Sequence, residues 1–118
     1  MATHPYKAVQ KYPRISIPGF VLVHDEEHFF ISPLANVSCG GLFTDQRLSL
    51  LKGAEVRVVI KSPQLERPVQ ALGTVVRIET GKRKGIAIEF TSISRESRER
   101  IRTCVAEQKI GRLLQTDH

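Results

Sequence analysis

Glu55-Val56-Arg57-Val58-Val59-Ile60-Lys61 is the stretch on which the fold turns. Successive side chains of an extended chain point to opposite faces, so Val56, Val58 and Ile60 share one side while Glu55, Arg57, Val59 and Lys61 share the other. The first side is dry and the second mostly wet, as in a strand with one face against a core. Beyond a Ser62-Pro63-Gln64 turn, the run Val69 to Ile78 is again β-prone, and Gly73 within it predicts a bulge or a close backbone approach. A Gly-flanked basic turn, Glu79-Thr80-Gly81-Lys82-Arg83-Lys84-Gly85, then leads into Ile86, Ile88 and Phe90 alternating with Ala87, Glu89 and Thr91. These two runs predict a hairpin.

Toward the N-terminus, Ile15, Ile17 and Phe20 to Val23 predict a first strand with a bend at Pro18-Gly19. His24-Asp25-Glu26-Glu27 is a polar turn, and His28 to Val37 is the return run that pairs with that strand. Gly40-Gly41 breaks the chain before the short apolar segment Leu42-Phe43. Short strands joined by turns, with no helices between them, indicate an antiparallel barrel or sandwich. The division expected is a flexible basic N-terminal arm at 1–13, a barrel at 14–93, and a C-terminal helix and tail at 94–118. The arm carries Lys7 and Lys11 with no acid, and Pro5 and Pro13 suit no helix interior. In the last segment Ser94 is suited to cap a helix, with Ser97 as a second start. Ile101, Cys104 and Val105 fall on one helical face, which Leu113 and Leu114 extend past Gly111. Spacing predicts ion pairs of Arg95 with Glu99 and of Glu96 with Arg100.

A chain of 118 residues fits one domain, and its 41% hydrophobic and 25% charged residues are those of an ordinary soluble globular protein. No apolar run approaches the roughly 20 residues of a membrane helix, and the start MATHPYKAVQK lacks the apolar core of a signal peptide. The expected location is the cytoplasm. Cys39 and Cys104 are then expected as free, buried thiols. The net charge of +6 favours an anionic partner without choosing among nucleotide, nucleic acid, acidic protein and membrane surface.

No acid pair, metal cluster, phosphate loop or triad emerges from the strand assignments, so the expectation is a protein that is not an enzyme and holds neither metal nor cofactor. His24 and His28 flank a turn rather than sharing a helix face, which argues against a metal site. Cys39 has no assigned neighbouring base to make it a nucleophile. Lys82-Arg83-Lys84 reads as a solvated hairpin tip. There is no Trp, and most Phe and Tyr positions read as core, leaving few platforms on which nucleic-acid bases would stack.

Asn36-Val37-Ser38-Cys39-Gly40-Gly41 follows the first hairpin, and its Asn36-x-Ser38-x-x-Gly41 matches a D/N-x-S-x-x-G motif in full. With Arg14 ahead of it, and with Gly73-Thr74-Val75-Val76-Arg77 and Gly85-Ile86-Ala87-Ile88-Glu89-Phe90 after it, the chain resembles the PilZ family over about residues 10 to 105. The resemblance implies a mainly β fold, a six-stranded antiparallel barrel of the split-barrel type with a C-terminal α-helix. It also implies a bacterial cyclic di-GMP receptor that passes the second-messenger signal to a protein partner in the control of motility or biofilm.

In the family an R-x-x-x-R motif clamps the guanines and phosphates of the ligand. The matching stretch here is Gln10-Lys11-Tyr12-Pro13-Arg14, in which only the second arginine is present. Arg14 thus inherits the clamping role and Gln10 stands where the other arginine would be. The expected ligand-binding set is Arg14, Asn36, Ser38 and Gly41, with Gln10, Lys11 and Lys7 from the arm. The residue types suit the chemistry. A guanidinium stacks on a purine or forks onto O6/N7 or a phosphate. Asn36 offers a donor and an acceptor, Ser38 a rotating hydroxyl, and Gly41 a close backbone approach. Lys7 and Lys11 add charge but neither stack nor fork. Two alternatives stay open: an adaptor of the same fold that has lost nucleotide binding and acts through protein contacts and, less favoured, a nucleic-acid-binding barrel.

Overall fold

The computed structural model describes residues 12–45 and 49–116, with side chains through Gly111. The alternating stretch forms a strand over the residues expected, Glu55–Lys61, with Val56, Val58 and Ile60 at 3%, 1% and 0% exposure. In chain order the elements are β1 (Phe20–His24), β2 (Phe29–Ser38), β3 (Gly41–Thr44), β4 (Glu55–Lys61), β5 (Val69–Thr80), β6 (Lys84–Ile93) and α1 (Arg95–Thr116). The strands close into a barrel in the order β1-β2-β3-β6-β5-β4, with β4 returning to β1 and every pairing antiparallel. Closure leaves no free sheet edge and creates one interior. Val21, Val23, Val37, Leu42, Val58, Ile60, Val69, Val75, Ile86 and Ile88 fill it.

The expected bent first strand divides in two. Gly19 has φ 145°, a conformation that side chains disfavour, and a β-carbon there would collide with the Lys61 carbonyl oxygen. The ladder with β2 therefore begins at Phe20. Upstream, Ile15 forms its own antiparallel bridge to Val37, with N–O distances of 3.0 and 2.9 Å. The segment before Gly19 thus runs along the C-terminal half of β2, beyond the reach of β1.

Ser94 caps α1 as its position suggests, accepting the Ser97 N–H at 3.0 Å. Ile101, Cys104 and Val105 press into the core cluster, and α1 packs on β2 and β5. The expected ion pairs along α1 are replaced. Arg100 reaches the Pro68 carbonyl at 3.2 Å and Ser97 Oγ at 3.3 Å, while Glu99 lies 3.8 Å from Arg102. Leu113 and Leu114 lie beyond the described side chains. Both cysteines are free; Cys104 is buried and Cys39 half-buried. No helix among the described residues is long and apolar enough to cross a membrane.

Candidate functional site

The segment Tyr12 to Ile15 and the turn after β2 meet on one face of the barrel. Arg14 Nη1 donates to Asn36 Oδ1 at 2.7 Å, and the Ile15–Val37 bridge beside it fixes the two backbones. In the turn, Ser38 Oγ accepts the Gly40 N–H at 3.1 Å, so this nearly buried hydroxyl shapes the loop. Tyr12 lies over the turn, and a β-carbon on Gly40 would come within 2.5 Å of its Cδ2. Gly41 is small for a different reason: a β-carbon there would collide with the Ile88 carbonyl oxygen, so the glycine lets β3 lie close on β6. Of the expected ligand-binding residues, Arg14, Asn36, Ser38 and Gly41 are brought together. Gln10, Lys11 and Lys7 lie outside the described residues.

Two bulges set which side chains this face carries. On β2, Leu34 pairs with Thr44 and Asn36 with Phe43, so Ala35 is an extra residue in the ladder. On β5, Val75 pairs with Ile88 and Arg77 with Ala87, so Val76 is extra. Strict alternation would put Asn36 on the inward side with buried Leu34, and Arg77 inward with buried Val75. A bulge reverses the parity after it, and both polar side chains turn out of the barrel. The paired positions then form a continuous row, Asn36 on β2, Phe43 on β3, Ala87 on β6 and Arg77 on β5. Ala87, although on this outward row, is 3% exposed.

Three guanidiniums border that row. Arg14 is at the Asn36 end. Arg83, from the β5–β6 turn, places its Cζ 4.4 Å from the centroid of the Phe43 ring, a cation–π contact. Arg77 is held by Glu79, with Nε to Oε2 at 2.6 Å. Partial burial and then the positive charges of Arg77 and Arg83 push the Arg14 pKa below its ordinary value, though it stays protonated at any physiological pH. In sequence Arg77 lies near the end of a β-prone run with no site role, and Arg83 reads as a solvated tip residue. The convergence depends on the bulges, and no local sequence signal announced it.

A closed six-stranded barrel, with a terminal helix and an N-terminal segment lying across a polar turn, is a small β-barrel module whose polar face is built from several strands. The PilZ domain model matches residues 8–107, and the chain belongs to the PilZ domain family. Among solved structures, it is similar to the inhibitor of motility MotI/DgrA of Bacillus subtilis (TM-score 0.71, 22% identity, 84% of this chain and 51% of that one). It is similar also to the PilZ domain of YcgR from Escherichia coli with c-di-GMP (TM-score 0.67, 15% identity, 92% and 97% covered). A third is the PilZ domain of CeSA from a cellulose-synthesizing bacterium (TM-score 0.57, 16% identity, 82% and 98% covered). At these identities the likeness is one of fold, and the chain spans about half the length of MotI/DgrA. No curated protein sequence matches it.

Proposed function

We propose that this chain is a cyclic di-GMP receptor that passes the signal to a protein partner, with Arg14, Asn36, Ser38 and Gly41 at the nucleotide. The carrying observation is the 2.7 Å Arg14–Asn36 hydrogen bond, which joins two elements separated by 22 positions in the sequence. Family membership supports the class of ligand, and the YcgR domain of similar fold has c-di-GMP in its structure. The geometry suits the ligand. A guanidinium beside an amide presents donors for a phosphate or for the O6/N7 edge, and its plane is available for a purine. Lys7 and Lys11 are placed near the phosphates in this reading, with Gln10 at the missing arginine's position.

Calorimetric titration with cyclic di-GMP, beside GTP and cyclic AMP, tests the reading. Loss of one charge-assisted hydrogen bond is worth about 1.5 to 3 kcal/mol, so Arg14→Ala is expected to weaken binding about tenfold to a hundredfold. Unchanged affinity would remove Arg14 from the site. Gln10→Arg is expected to tighten binding, and no gain would mean that the R-x-x-x-R correspondence is misplaced.

One observation favours the adaptor reading. On the outer face of β1 and β2, Phe20, Phe29 and Ile31 are exposed, at 40%, 61% and 58%, next to the outward Arg57 and Lys61 of β4. An apolar strip with a cationic border suits a protein surface that is apolar with an acidic border. Absence of heat with cyclic di-GMP in the intact chain would select this reading.

A further inference from the structure

Arg77 and Arg83 have no role in either recognition motif, yet the barrel delivers both to the face where Arg14 stands. Arg77 gets there through the β5 bulge, and Arg83 through a turn that folds it onto Phe43. The floor between them is kept low. Ala87 separates Phe43 from Arg77 in the cross-strand row, and at Gly85 the space for a β-carbon is filled by the Phe43 ring and the Thr44 carbonyl. Like charges gathered this way repel one another in the free protein, and after partial burial that repulsion is the further cause that lowers the Arg14 pKa. An anion arriving among them relieves that repulsion and gains hydrogen bonds from guanidiniums already held in place. Arg83 has its Cζ over an aromatic ring and Arg77 is paired with Glu79, contacts that limit the side-chain freedom lost on binding.

We propose that Arg77 and Arg83 are phosphate- and base-binding residues of the nucleotide site, supplying from the barrel wall the cations that the arm lacks at Gln10. The proposal rests on the reading of this face as a nucleotide site and names the ligand class more narrowly, a purine-bearing phosphodiester dianion. Three guanidiniums and the Glu79 carboxylate leave two positive charges, which match two phosphodiesters. Arg83, backed by Phe43, offers its outer plane to a purine. Arg77, held to Glu79 through its Nε, offers its Nη groups to a phosphate.

The test is a titration of cyclic di-GMP into wild type, Arg14→Ala, Arg77→Gln, Arg83→Gln, Arg83→Lys and the Arg77→Gln/Arg83→Gln double variant, at two salt concentrations. Each glutamine variant is expected to weaken binding about tenfold, the double variant more, each with a shallower salt dependence than wild type. Arg83→Lys keeps the charge and loses the plane, so it should restore the salt dependence without the full affinity. Binding by wild type that weakens in Arg14→Ala but not in Arg77→Gln or Arg83→Gln overturns this inference and leaves the proposed function standing. A wild-type chain that binds no cyclic di-GMP overturns both. Thermal melting accompanies each variant. Should Arg83→Gln lower stability through its contact with Phe43, Arg77→Gln decides alone, because Arg77 is exposed and its partner Glu79 is half-buried at the surface.

Discussion

Two adjacent glycines, Gly40 and Gly41, show how differently neighbouring residues can serve one site. A β-carbon on Gly40 would meet the Tyr12 ring, a half-exposed side chain outside the barrel interior. On Gly41 it would meet the Ile88 carbonyl, which the β3–β6 ladder holds still. Gly40→Ala is therefore expected to keep the melting temperature of wild type within a few degrees while weakening nucleotide binding, because the segment bearing Arg14 is pushed off the turn. Gly41→Ala is expected to destabilise the barrel by about 1 to 3 kcal/mol, the usual range for an overpacked interior. Chemical denaturation and titration of the two variants check both outcomes, and a Gly40→Ala barrel as unstable as Gly41→Ala would contradict the distinction.

Elements with strong local patterns were legible from sequence, and those set by register were not. β4 matches its alternating stretch end to end, Ser94 caps α1 through its own hydroxyl, and Gly73 does permit a close approach, with Ile88 Cγ2 2.6 Å from where a β-carbon would sit. Asn36 and Ser38 stood out through their motif. Arg77 did not, because alternation from Val75 points it into the core, and only the pairing of β5 with β6 reveals that Val76 is extra. Arg83 was hidden for a related reason, since its contact with Phe43 joins residues 40 positions apart in sequence. In sequence Ile15 continues the run that starts β1, but the turn at Gly19 gives it to β2 instead.

The β1–β2 turn carries a pH dependence of its own. Asp25 Oδ1 accepts the Glu27 and His28 N–H groups at 2.8 and 2.6 Å, and His28 Nδ1 lies 3.2 Å away. The Glu27 N–H bond, followed by the one from His28, holds the Asp25 carboxyl below its ordinary pKa. A carboxylate depressed in the folded state contributes stability above its unfolded pKa and loses it as pH falls through the folded value. Acidification is thus expected to loosen this hairpin, and Asp25→Ala to remove that part of the acid response. Amide exchange across β1 and β2 as a function of pH reads the effect. Equal acid sensitivity in Asp25→Ala would show that the turn has no part in it.

Across the whole molecule, the closed barrel separates two surfaces. Asn36, Arg77, Arg83 and Arg14 occupy the face of β2, β3, β6 and β5, while Phe20, Phe29 and Ile31 lie on β1 and the first half of β2. The helix touches the segment and the turn that flank the first of these. Gln108 Nε2 donates to the Ser16 carbonyl at 3.2 Å, and Cys39 Sγ lies 3.9 Å from the Arg98 carbonyl. The Arg14 segment and the turn beside Asn36 thus each have a contact with α1. The proposed nucleotide face is therefore contiguous with α1, while the strip of Phe20, Phe29 and Ile31 lies apart from that face.

Backbone amide chemical-shift mapping of the labelled chain during addition of cyclic di-GMP tests the location most directly. Changes centred on Asn36, Gly40, Gly41, Arg77 and Ala87, with Phe29 and Ile31 unmoved, are the predicted result. Changes centred on the Phe29–Ile31 strip, with the arginine face silent, would contradict it.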